Sequence, residues 1–123
     1  RNLKVLKLLI KALRESKRFS VYKFYNFLKS IGLKVSKNTL YFYLEALKDS
    51  LVLFDVHAFS PSYKNIEKSI PKIYFADAGL YLDNFDIARS MENSVFLVLR
   101  MKYRNIYYYE TSNRKEIDFL FKQ

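Results

Sequence analysis

The sequence predicts a mixed α+β chain, and two observations carry that expectation. Before residue 50, apolar side chains recur every three or four positions behind serine caps, the spacing of amphipathic helices. After it come short runs rich in β-branched and aromatic residues, separated by polar turns, with one further helical stretch among them.

Leu3, Leu6, Leu9, Ile10 and Leu13 form the first helical stripe, widened by Val5, Leu8 and Ala12, with Lys4, Lys7, Lys11 and Arg14 between. Ser20 stands where a cap opens a second helix, whose apolar side is Val21, Phe24, Tyr25, Leu28 and Ile31 and whose stop is Gly32. Ser36 caps a third, predicted over 37–49, with Leu40, Tyr43, Leu44 and Leu47 inward. An extended apolar run over 51–59, a polar stretch over 60–69 and a strand over 72–75 follow. Three short helices, then strand, loop and strand, is the order of a winged helix-turn-helix.

Composition narrows the function classes. With no cysteine among 123 residues there is no disulfide framework and no thiolate nucleophile or ligand, which fits a reducing compartment and a cytoplasmic location. The uncharged apolar stretches fall far short of the roughly 20 residues that cross a bilayer, so no membrane partner is expected. The net charge of +10 is unevenly placed: residues 1–50 hold 12 basic and 3 acidic side chains, residues 51–123 hold 10 and 9. A polyanion partner, duplex DNA first, belongs to the first half. Lysine-rich solvated faces are also ordinary on helices, but here matching glutamates are missing.

On the third helix the outward positions are Lys37, Asn38, Tyr41, Phe42, Glu45 and Lys48. Lys37, Asn38, Tyr41 and Lys48 are the DNA-contacting candidates, with Lys64 and Lys68 at the wing. Tyr41 beside Phe42 also reads as a docking face, since adjacent exposed aromatics mark protein interfaces. His57, the lone histidine, reads as part of a strand face.

In the second half, Asp77 ends a strand where it can cap a short helix. A longer helix is predicted over 87–103 with Met91, Val95, Phe96, Val98 and Leu99 inward, followed by strands over 105–110 and 115–121. Glu116 and Asp118 lie inside the last apolar run; they read either as a charged strand face alternating with Ile117 and Phe119 or as half of a metal site. The chain opens on Arg1 and closes on that strand, so both ends read as cut from something larger.

The blocks VSKNTLYFYLEALKDSLVLFDV, KIYFADAGL, MENSVFLVLR and IYYYETSNRKEIDFLF together resemble the C-terminal region of archaeal and bacterial ATPases of the AAA+ (STAND-like) group. In that group a P-loop ATPase domain precedes a winged helix and a domain related to the PD-(D/E)xK nucleases. The resemblance implies a winged helix-turn-helix over 1–70 and a truncated nuclease-like α/β segment over 71–123. It implies Glu92 as the helix acid and Asp118, with Glu116 beside it, as the strand acids of a vestigial or incomplete magnesium site. No E-x-K strand follows Asp118, and Lys122 comes too soon on the same strand, so nuclease chemistry is not expected here. Tyr109 and Glu110 stand where the family has tryptophan and arginine, and the family's glycine near Arg114 is absent. No G-x-x-x-x-G-K-[ST] occurs, so ATP and magnesium are implied only for an ATPase domain upstream of Arg1.

The expectation is therefore a non-catalytic, DNA-binding winged-helix module of an ATP-binding protein, without a cofactor of its own. A docking or regulatory module of the ATPase, a dimerisation module, and part of a metal-dependent nuclease are the alternatives. An open edge at the last strand predicts pairing with a second copy.

Overall fold

The computed structural model describes residues 3–16, 18–77 and 87–122. Helices α1 (Leu3–Glu15), α2 (Val21–Ser30) and α3 (Lys37–Asp49) lead into strand β1 (Leu53–Val56), the short helix α4 (Tyr63–Lys68) and strand β2 (Lys72–Phe75). Helix α5 (Ile87–Arg100) and strands β3 (Asn105–Glu110) and β4 (Glu116–Lys122) complete a mixed α+β chain.

Local chemistry sets the helix boundaries. Ser20 and Ser36 sit in extended backbone, and each hydroxyl accepts the amide three residues on, from Lys23 and Thr39. α2 ends in a paired-carbonyl cap: Leu33 N–H bonds Leu28 O at 2.9 Å and Gly32 N–H bonds Lys29 O at 3.1 Å, with Gly32 at φ +82°. α3 ends the same way, through Val52 N–H to Leu47 O and Leu51 N–H to Lys48 O. Here the left-handed position, φ +57°, is occupied by a leucine.

Two antiparallel pairs, β1 with β2 and β3 with β4, make the sheets. They are stitched to their surroundings by backbone. Phe19 N–H bonds Pro71 O, setting the α1–α2 connection beside β2, and Tyr108 N–H bonds His57 O while Phe59 N–H bonds Tyr108 O, setting β3 beside the chain leaving β1.

All of β2 is buried because both its faces are covered. Ile73 and Phe75 join Leu53 against Val5, Leu9, Leu13, Phe24, Leu28 and Leu40 of the three helices. Tyr74 on the opposite face joins Val56, Phe96 of α5 and Tyr108 of β3. Tyr74 and Phe96 stack with centroids 4.5 Å apart.

Three expectations are corrected. The 60–69 stretch between the strands contains α4, capped by Ser62, whose hydroxyl accepts from Asn65 N–H. On α5 the buried residues are Asn93 and Phe96, whereas Met91, Val95 and Val98 are 64%, 49% and 67% exposed. The cause is the Asn93 amide: its Oδ1 accepts Phe75 N–H at 2.8 Å and its Nδ2 donates to Phe75 O at 2.7 Å. Those two bonds satisfy a buried strand backbone and fix the rotation of the helix, and apolar periodicity is overruled. For Glu116, largely covered at 18% side-chain exposure, the solvent strand-face reading is corrected in the next subsection. The short helix expected after Asp77 falls outside the described residues. Among the described residues no helix is long and apolar enough to cross a membrane.

Candidate functional site

Lys72, 1% exposed, is the most deeply buried charged group among the described residues. It opens β2 two positions before Tyr74, so both side chains reach toward α5 and the β3–β4 hairpin. Its ammonium donates to Glu116 Oε2 and, at 3.2 Å, to Asp118 Oδ1, and lies 3.6 Å from Glu92 Oε2. Tyr74 Oη donates to Glu92 Oε2 at 2.6 Å. Arg18, brought alongside by the backbone bridge to β2, donates from Nη2 to Glu116 Oε1 at 2.6 Å and reaches Glu110 at 3.4 Å. Tyr108 carries both cations against its ring, the Arg18 guanidinium at 4.6 Å and the Lys72 ammonium at 5.4 Å.

A β-bulge makes this convergence geometrically available. Tyr107 pairs with Leu120 but Tyr109 pairs with Ile117, so Asp118 and Phe119 both stand opposite Tyr108. With strict alternation only one of them could share the inward face of Tyr108. The extra residue lets Asp118 meet Lys72 while Phe119 packs on Tyr74 at 5.6 Å. Ile117 faces out at 47% exposure, Glu116 is largely covered at 18%, and Asp118 reaches Lys72 while keeping 49% of its side chain exposed.

The charges reshape one another. Burial alone works to raise the Glu116 carboxyl, but the bonds from Lys72, Asp118 and Arg18 outweigh it and hold it at about 2. Asp118 goes the other way, raised by burial and by sharing its contact with Glu116. Burial works to lower the Lys72 ammonium, yet its carboxylate partners carry it above the ordinary value. Burial and then Glu92 push the Tyr74 phenol up, so it stays a hydrogen-bond donor.

Glu92, Glu116 and Asp118, the acids assigned to a metal site from sequence, are thus brought together, but around a protein ammonium. Among the described residues no group of three or more His, Cys, Asp or Glu side chains has the arrangement of metal ligands. Lys72, Tyr74 and Arg18 escaped the sequence reading; a lysine heading the apolar run KIYF was the signal for the first.

The second set of candidates lies on α3 and α4. Lys37 and Asn38 are exposed at the start of α3, with the Lys37 ammonium 5.0 Å over the Tyr22 ring and 5.2 Å over that of Tyr25. Tyr41 and Phe42 are 52% and 69% exposed. Lys48 is engaged internally, 2.8 Å from Glu45 and 3.1 Å from Asp55. Lys64 and Lys68 are exposed on α4, and Lys68 lines a groove of ≈ 440 Å³ with Tyr41 and Lys48. His57 Nδ1 meets Ser69 Oγ at 3.1 Å and its Nε2 meets Asp55 at 3.4 Å. Ser69 spends its hydroxyl proton on Ile66 O at 2.7 Å, so it is a fixed strut rather than an activated nucleophile.

A protein of Methanocaldococcus jannaschii, called uncharacterized protein MJ1544, is 34% identical over 132 aligned residues that take in 98% of this chain. The chain spans 29% of that relative's length. No solved structure matches. The sequence profile of a family described as a domain of unknown function (DUF8612) matches residues 1–89, well over half of the chain, and the protein belongs to that family.

Proposed function

We propose that the chain is a winged-helix module that binds duplex DNA within a longer ATP-binding protein of the AAA+ group, and that it works in the cytoplasm without a cofactor or catalytic activity of its own. The observation that carries the reading is a surplus of uncompensated cations on and beside α3 and α4: Lys34, Lys37, Lys64 and Lys68 are exposed, and none takes part in an ion pair among the described residues. Phosphate contact releases counterions and is the physical use of such a surface. The order of three helices, β1, connection and β2 supports the winged-helix assignment. Lys37 and Asn38 at the exposed start of α3 supply the reading end, and Lys64 and Lys68 on α4 take the place of wing lysines. The resemblance of the blocks quoted above supports the ATPase context, and a relative more than three times longer fits it.

Fluorescence anisotropy with a labelled duplex, measured from low to physiological salt, tests this. Micromolar or tighter binding should weaken steeply with salt, and Lys37→Glu with Lys64→Glu and Lys68→Glu should lower affinity at least tenfold. Unchanged affinity in the triple variant removes α3 and α4 as the contact.

The exposure of Tyr41 and Phe42 favours a second reading, in which this face docks on the ATPase domain of the parent chain. Binding to a partner through those rings would be nearly insensitive to salt. A completed nuclease-like domain is a third reading; there Glu92, Glu116 and Asp118 would have to exchange the Lys72 ammonium for magnesium.

A further inference from the structure

Two hollows lie against α1 and have Leu8 and Lys11 in common. One, of ≈ 420 Å³, is walled by Leu3, Lys4, Lys7, Leu8 and Lys11. The other, of ≈ 370 Å³, begins at the same Leu8 and Lys11 and continues to Lys23, Phe24 and Phe27 of α2. Sharing Leu8 and Lys11, the two together form a candidate channel. It carries four lysines, Lys4, Lys7, Lys11 and Lys23, all exposed and none in an ion pair among the described residues. Lys4, Lys7 and Lys11 recur at three and four positions, so they line one side of α1 over about 10 Å of rise. Glu15 is the one acid on the channel walls. At its far end Phe27 is 47% exposed and stacks on buried Phe24 at 6.3 Å, an aromatic platform held rigid from below.

We infer that this channel holds a single strand of nucleic acid, with its phosphates along Lys4, Lys7, Lys11 and Lys23 and an unpaired base on Phe27. Lysines without acidic partners select a polyanion, and an exposed ring beside them selects one that carries planar bases. An exposed ring stacks a base that is unpaired, not one held inside a duplex. The channel lies on α1 and α2, apart from the Lys37, Lys64 and Lys68 surface assigned to duplex. The inference rests on the reading that the basic half contacts nucleic acid, and adds an unpaired strand to it.

The test is anisotropy with labelled oligothymidylate of about 15 nucleotides, long enough for a site of this class, alongside the labelled duplex. The variants are Lys4→Glu/Lys7→Glu/Lys11→Glu and, separately, Phe27→Ala, each first checked for unchanged helical circular dichroism. With about 0.7 of salt slope per contacted phosphate on a single strand, the lysine variant should lose roughly 2 from the slope and at least tenfold in affinity. Phe27→Ala should lose about tenfold with the slope intact, because stacking releases no counterions. Duplex binding should survive both variants and fall with the α3 and α4 substitutions. Oligothymidylate binding that is unaltered in the lysine variant overturns the channel while leaving duplex binding standing. Absence of binding to either probe overturns both. Should Phe27→Ala fail to fold, Phe27→Leu keeps the apolar packing and removes the stacking face, and unchanged affinity there removes the base platform.

Discussion

Replacing Lys72 by methionine keeps the buried stem and deletes only the ammonium, leaving Glu92, Glu116 and Asp118 facing one another. The magnitude follows from Glu116, whose carboxyl is held at about 2 against an ordinary 4.5. At about 1.36 kcal/mol per pKa unit that difference is worth roughly 3 kcal/mol near neutral pH. Arg18 stays on Glu116 at 2.6 Å and retains part of it. Glu116 and Asp118 also keep some access to water, at 18% and 49% side-chain exposure, so the usual cost of about 3–5 kcal/mol for breaking a buried pair is an upper bound. A loss of about 2 kcal/mol at pH 7 is expected. The pH dependence is the sharper readout. In the native protein the depressed Glu116 contributes stability above about pH 4.5 that is lost as pH falls toward 2. Asp118, raised, contributes with the opposite sign: its share is present at low pH and lost as pH rises through its folded value. Without the ammonium Glu116 and Asp118 repel each other uncompensated, so the variant should gain more stability than the native protein as pH falls from 7 to about 5. Urea unfolding followed by circular dichroism between pH 3 and 8, with the slope on denaturant held in common, measures both curves. Parallel curves, or a loss under about 0.5 kcal/mol, would refute the claim that Lys72 neutralises this cluster.

Two further outcomes test the fold itself. Asn93→Ala should cost about 2–4 kcal/mol in the same urea experiment, because it strands the buried Phe75 N–H and C=O, whereas Met91→Gln and Val98→Gln should stay within about 0.5 kcal/mol; the reverse order would restore the packing read from periodicity. Leu51→Gly should raise the unfolding free energy by about 0.5–1 kcal/mol, since Leu51 holds φ +57° and is 59% exposed; a loss of stability would show that its side chain contributes more than the strain costs.

Much of the N-terminal half was legible because its signals are local. Ser20, Ser36 and Gly32 act within three to five residues along the chain, and Leu9, Leu13, Phe24, Leu28 and Leu40 fall on faces set by helical period alone. The hairpin of β3 and β4 was legible for the same reason, as two aromatic-rich runs around a polar turn. Helix α5 was found in place, but its inward face was misread: two bonds from Asn93 to a strand 18 residues earlier outrank a stripe of methionine and valine.

At the candidate site, sequence picked out the acids and missed their partners. Glu116 and Asp118 stand out as carboxylates inside an apolar run, and Glu92 is pointed to by the family resemblance. That they converge on Lys72 depends on a bulge opposite Tyr108, and that Arg18 joins them depends on a bridge between residues 54 apart in the chain, 18 and 72. Lys48 makes the same point in reverse, since its place on the outer face of α3 was foreseeable while its capture by Asp55 of β1 was not. Sequence by itself determined helices α1 to α3, the caps of α2 and α3 and the excess of positive charge before residue 50, because propensity, capping and charge count are properties of neighbouring residues. The tertiary structure alone decided which charges are neutralised within the protein and which lysines stay free for a partner, because pairing at about 3 Å depends on register and helix rotation, which are settled only when the elements pack.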